Sequence, residues 1–515
     1  MSDLDDPIIA ALGDLAGQAG PPRLRVDATW RAGRRRRWAA ITTSVAGAAA
    51  VAVTIPLAVL GGAVHPVPVP PIPGAVTGDR ATAYVANGSG TVTPIRTATS
   101  TALAPVKAGR LPQAIAITPD GKTAYVVNTH SGTVTPIRTA TNTALPPVKV
   151  GHGPSAIAIT PDGKTAYVAN SGSGTVTPIR TATNTTLPPV KVGIDPFAIA
   201  ITPDGKTAYV TNTTSGTVTP IQTATNTALT PVKAGPLPEA IAITPDGKTA
   251  YVVAGEGHSW MTVPISTATN TALPPVKTGI EPFAIAITPD GKTAYVVNVV
   301  SQTVTPIRTA TNTALAPVKV GIDPDAIAIT PDGKTAYVVN EYPGTVTPIR
   351  TATSTALAPI RVPAGSFSMA ITPDGRTIYV LDLGSSQAQE GIVTPIRAAT
   401  NTALRPIPIG HAWPSTMNIA ITPDSKTAYV ANASTGTITP IRTATDTALT
   451  RIRLADGAGP ITITPDGRTA YVIAVSGPGR TGTVIPIRTA TNQVLRAITV
   501  SNLPSVIAIT PAPRR

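Results

Sequence analysis

The sequence predicts an all-β chain in which ten tandem units each fold as a four-stranded antiparallel sheet and together close into a ring. Three observations carry this reading: an evenly spaced tyrosine, turn residues at fixed offsets from it, and complementary half-units at the two ends of the repeat region.

The tyrosines are Tyr84, Tyr125, Tyr167, Tyr209, Tyr251, Tyr295, Tyr337, Tyr379, Tyr429 and Tyr471, separated by 41, 42, 42, 42, 44, 42, 42, 50 and 42 residues. Self-similarity at a fixed period of this length marks a repeat architecture in which each unit buries its faces against its neighbours.

The unit 114–151 shows each element in order. Ala114–Thr118 is a short apolar run that reads as a first strand, and Pro119-Asp120-Gly121 turns the chain. Thr123–Asn128 returns as a second strand, apolar without clean alternation, which suits a sheet covered on both sides. His130-Ser131-Gly132 leads into a third strand, Thr133–Arg138. A Thr-Ala-Thr-Asn turn precedes a fourth around Val148–Val150, whose Pro147 and Lys149 suit an exposed outer edge. The Gly-Lys-Thr of the first turn resembles the end of a phosphate loop. Such a loop needs a glycine five residues earlier, where Ala116 and Ala158 stand, so the turn reads as structural.

The first unit starts at its second strand, 81–87, and the last residues, 506–510, spell a first strand with no unit after it. Joined, they complete one blade from both ends. Stacked four-stranded sheets describe a β-propeller, here of ten blades over 79–511. A seven-blade ring with extra blades is the alternative, and it leaves the half-units unexplained.

The recurring Thr-Pro-Asp-Gly-Lys, the Tyr209-Val210-Thr211-Asn212 of the fourth unit and the Thr-Ala-Thr turns resemble the YVTN family of β-propeller repeats over roughly 79–510. The resemblance implies the fold and an extracytoplasmic, cell-surface setting. It also implies kinship with lactonase-type and haem d1-type propellers.

The chain has no cysteine, which excludes disulfides and thiolate metal sites. Residues 38–64 carry no charge and are long enough to span a bilayer as a helix. Seven arginines precede them, and the next cation after them is Arg80. The positive-inside rule then gives a cytoplasmic basic tail (1–37), a single-pass transmembrane signal anchor (38–64), a Pro-rich stalk (65–78) and a propeller outside the cell membrane. A cleaved signal peptide is the competing reading. The net charge of +14 comes largely from arginines and lysines at fixed places around the ring rather than in one groove, which argues against nucleic acid as partner.

Because each unit is a control for the others, departures from the repeat are informative. The second-to-third-strand loops and the links between blades share one face of the ring. That face holds all five glutamates, four of the five histidines, both propeller tryptophans and both insertions. The candidate partner-binding residues are His130, His152, Glu256, His258, Trp260, Glu341, Tyr342, His411 and Trp413, on loops over a rigid scaffold. Phe197 and Phe283 read as plugs between blades, and Asp195, Glu281 and Asp323 as turn formers before proline.

No zincin or nucleophile-elbow motif occurs, no axial histidine and porphyrin pocket is evident, and no catalytic residue, metal or cofactor is expected. The expected function is a binding or scaffold module for an extracytoplasmic protein or wall polymer, not an enzyme. The alternative is a lactonase-like hydrolase at the channel mouth, to which Glu256, His258, Glu281 and Arg480 would contribute.

Overall fold

The computed structural model describes residues 81–511, except 257–258, 384–389, 413–416 and 476–480. The tail, the apolar stretch 38–64 and the stalk therefore lie outside the described residues. Among those described, no helix is long and apolar enough to cross a membrane.

In the unit that follows the first link, Pro112–Ile117, Thr123–Asn128 and Thr133–Arg138 form three adjacent antiparallel strands from the ring's centre outward. The fourth strand differs from the expectation. It is two short pieces, Thr143–Ala144 and Val148–Lys149, both paired to the third strand. Pro146 and Pro147 lie between them and have no N–H to give to a ladder, so the outer strand is interrupted there. Ten such sheets are present, one per tyrosine.

Why tyrosine recurs is visible in the packing. All ten of these tyrosines are fully buried. Each hydroxyl reaches the Thr-Ala-Thr-Asn turn of the next blade: Tyr125 meets Asn184 Oδ1 at 2.7 Å and Tyr209 meets Asn270 Oδ1 at 2.6 Å. Those turn residues sit at positive φ, 54° at Asn184 and 55° at Asn270, a conformation that asparagine tolerates. One residue thus forms the turn and accepts a bond from the neighbouring blade. Burial pushes the phenols upward, to about 12 at Tyr337, so they stay protonated donors at any physiological pH.

Closure follows the same rule. Strand Thr82–Asn87 pairs with Pro504–Ile509, and the Thr82 amide donates to Thr510 Oγ1 at 2.9 Å. Tyr471 of blade 10 meets Ser100 of blade 1 at 3.1 Å. A β-carbon on Gly121 would lie 3.3 Å from Pro511, just as one on Gly163 would lie 3.2 Å from Pro119, so Pro511 completes the series of turn prolines. The ring is a ten-blade propeller closed by its own terminal strands.

Candidate functional site

Two faces of the ring result from the strand order. The turn face carries the Pro-Asp-Gly and Thr-Ala-Thr-Asn turns. The loop face carries the second-to-third-strand loops and the links between blades. In the turn 202–207, Thr202 Oγ1 and the Lys206 amide donate to Asp204 at 2.6 and 3.0 Å. Those bonds hold the Asp204 carboxyl below its ordinary value. Gly205 adopts φ +71°, which glycine permits at no steric cost. Lys206 then lies 3.4 Å from Asp204, in an exposed pair that contributes little stability. The bonds of the Asp204 carboxyl thus serve the turn, and the Gly205 carbonyl accepts from Thr223 at 2.6 Å to tie the turn to the third strand's end.

Part of the loop face is structural too. Asn128 closes the second strand of blade 2, fully buried, and its Nδ2 donates to Thr135 Oγ1 at 3.0 Å. A β-carbon on Gly109 would come within 2.8 Å of that asparagine, so the link between blades must be glycine to pass over it. Ser131 accepts the Arg110 amide and ties the loop to the same link. Where the asparagine gives way to alanine, the threonine is lost with it: Ala254 goes with Val263, and Ala474 with Ile485. The partners change together because either alone would be a buried polar group without its mate.

The expected site residues share this face but spread around it. His130 and His152 are exposed at blade 2 and the link to blade 3, and His411 is exposed beyond blade 8, its backbone opposite Glu390. Glu341 is half-buried and Tyr342 exposed, at the end of a strand in blade 7. Gly255, Glu256, Ser259 and Trp260, expected in a loop, lie instead in paired strands, with Glu256 opposite Ser259 and Gly255 opposite Trp260. The two-residue insertion lengthens both strands, and Trp260 is half-buried in one of them. His258, Trp413 and Arg480 lie outside the described residues. Glu281 stands at φ +56° before Pro282, and Asp195 and Asp323 at +57° and +48°, as turn formers before proline. Phe197 and Phe283 pack partly buried against inter-blade clusters. Among the described residues, no group of three or more His, Asp or Glu side chains gathers where it could hold a metal.

Two features of the loop face escape a reading by residue type. The first is an apolar arc. Ile194 is 65% exposed, Ile280 53%, Val300 43%, Ile322 46% and Tyr342 51%. The three isoleucines follow the link glycine, a place held by Arg110 and His152 in earlier blades, and Ile322 pairs in register with Tyr342. The signal was present as a position that becomes isoleucine in the third, fifth and sixth links. The second feature is a cleft of about 650 Å³ between blades 4 and 5, lined by Ser215, Lys233, Leu237, Met261, Val263 and Leu273. It opens where blade 5 reduces its outermost strand piece to the single bridge Thr262–Val276.

A family model described as lactonase, 7-bladed beta-propeller, matches residues 82–239, the first four blades and the link that follows. A search of curated proteins gives no match. Among solved structures, a eukaryotic initiation factor is similar at 12% identity and a TM-score of 0.55, over 85% of this chain and 100% of that one. The dihydro-heme d1 dehydrogenase NirN in complex with DHE is similar at 15% identity and a TM-score of 0.48, over 98% and 86%. Hydrazine synthase of Kuenenia stuttgartiensis follows at 20% identity and 0.36, over 68% and 96%. The likeness to the initiation factor is one of fold. The chain is a propeller repeat protein, similar over its first blades to the lactonase propellers.

Proposed function

We propose that the protein is a membrane-anchored extracytoplasmic propeller that acts as a binding or scaffold module through the loop face of blades 4–7. The exposed arc of Ile194, Ile280, Val300, Ile322 and Tyr342 carries this reading. The repeat does not require those side chains, since other blades fold with polar residues in their place, and large apolar side chains left exposed together on one face suit an interaction surface. Aliphatic side chains favour a protein partner over a wall polymer, the other candidate.

The topology is checked on intact cells. Protease should reach a C-terminal tag while the protein stays in the membrane fraction, and release of a shortened soluble form would establish a cleaved leader instead. The surface is checked by envelope cross-linking followed by affinity measurement with the captured protein. Ile280→Ser with Ile322→Ser should weaken binding at least tenfold, about 1.4 kcal/mol. Trp260→Ala should weaken it too, because a large aromatic at such a surface often anchors a partner. Asp162→Ala and Lys164→Ala on the turn face should leave affinity intact. If those turn-face changes abolish binding, the contact surface is the other face.

The match to the lactonase model favours one competing reading, a hydrolase. That match covers the uniform blades, whereas Glu256, His258, Glu281 and Arg480 lie beyond it. Lactone hydrolysis by the purified protein, lost in Glu256→Gln or His258→Ala, would replace the binding module with an enzyme.

A further inference from the structure

The turn face has a charge pattern that the repeat's stability does not explain. Each of the nine Pro-Asp turns pairs its own aspartate with a lysine or arginine two residues on, and so adds no net charge. In eight of the ten blades, however, the third strand also ends on this face in an exposed arginine, from Arg96 in blade 1 to Arg488 in blade 10. Among the described residues these arginines form no ion pair within 4 Å, and Asp446, near Arg397, is the acidic group set among them. The opposite face sets the outer-strand lysines against all five glutamates. One side of the disc is therefore a broad ring of uncompensated guanidinium groups.

We infer that this ring docks the turn face on an anionic lipid surface. Charge complementarity is the first argument: guanidinium groups pair readily with phosphate oxygens, and juxtamembrane cations act within a Debye length of about 8 Å of a lipid headgroup layer. The path of the chain is the second. The second strand of blade 1 starts at Thr82 on the turn face, and the last strand ends at Ile509 on the same face. Residues 65–78, which precede that entry, reach about 43 Å if fully extended at ~3.1 Å per residue. On the proposed topology this tether holds the arginine ring near the bilayer, at a high effective concentration, and turns the apolar arc away from it.

The test uses residues 79–515 alone, because the ring closes on its own terminal strands and every core cluster lies within it. Its outcome is therefore independent of whether 38–64 is an anchor or a cleaved leader. Sedimentation with phosphatidylglycerol-containing vesicles should show binding that is absent on pure phosphatidylcholine and falls steeply between 50 and 500 mM salt, roughly a threefold change in Debye length. Changing Arg138, Arg180, Arg308 and Arg350 to Gln should lower the partition coefficient at least tenfold. Changing Lys107, Lys149, Lys191 and Lys319 to Gln removes the same charge from the rim towards the loop face, and should change it less than threefold, with equal melting in both sets. Equal losses in both sets would reduce the effect to net charge, and binding to neither vesicle, or to both alike, would also overturn the inference.

Discussion

Deleting residues 503–515 should lower the melting temperature by roughly 10 °C. The deletion removes the inner strand of blade 1, including Ile507 and Ala508, buried at 3% and 6% exposure, and the half-buried Val506 and Ile509. Loss of a buried aliphatic side chain costs about 2–5 kcal/mol, so with the strand's hydrogen bonds the total is on the order of 10 kcal/mol. At about 2.1 cal/mol/K per residue, a ring of this size converts that into a shift of about a degree per kcal/mol. The loss also exposes the ladder edge of Thr82–Asn87 and removes Pro511 from its contact at Gly121. Trimming only 512–515 should change nothing, because the closing strand stays. Circular dichroism melts of the two truncations decide it, and equal melts would mean that the ring is held some other way.

Much of this fold was legible because the repeat writes each structural constraint many times. Tyr125 could be recognised as structural from its nine copies, although the reason for its hydroxyl appeared only with Asn184 of the next blade. Ring closure was readable from the half-units 81–87 and 506–510, and strand pairing bears it out. The interrupted outer strand was not anticipated, although Pro146 and Pro147 were visible, because proline was read there as edge protection and not as a break in the ladder. The candidate surface was less legible. Attention to scarce residue types selected His130, His152 and His411, which stand on separate blades, and passed over Ile194, Ile280 and Ile322. Isoleucine is common in this chain, and only exposure separates these three from the buried Ile115 or Ile157. The cleft beside Met261 was hidden because it arises from an absent strand pairing, which no residue type announces.

Asp382 supplies the second large expected effect. It occupies the place where seven other blades put a buried asparagine, and it is itself 0% exposed. Burial pushes its carboxyl up to about 7, against the bonds from Ser366 and Thr394 that favour the charged form. The neighbouring geometry fits a proton held there. Ser366 has one hydroxyl hydrogen, yet it faces both the Pro363 carbonyl, at 2.8 Å, and the Asp382 carboxyl. A protonated Asp382 donates to Ser366 Oγ, which then gives its own hydrogen to Pro363, and all three groups are satisfied. The sign follows. Below pH 3.8 the carboxyl is protonated whether the chain is folded or not, so it contributes no difference. Between 3.8 and about 7 the unfolded chain releases the proton that the fold retains, and stability falls as pH rises. Above 7 the whole penalty is present, at most about 4 kcal/mol at ~1.4 per pH unit. Asp382→Asn restores the residue of the other blades, with Nδ2 placed to donate to Thr394 as Asn128 donates to Thr135. The variant should therefore melt higher than the parent at pH 8 by a few degrees, and the gap should close towards pH 4. Paired melts at these two values are the measurement. A gap that is the same at both, or that is widest in acid, would show that Asp382 is ionised in the folded ring.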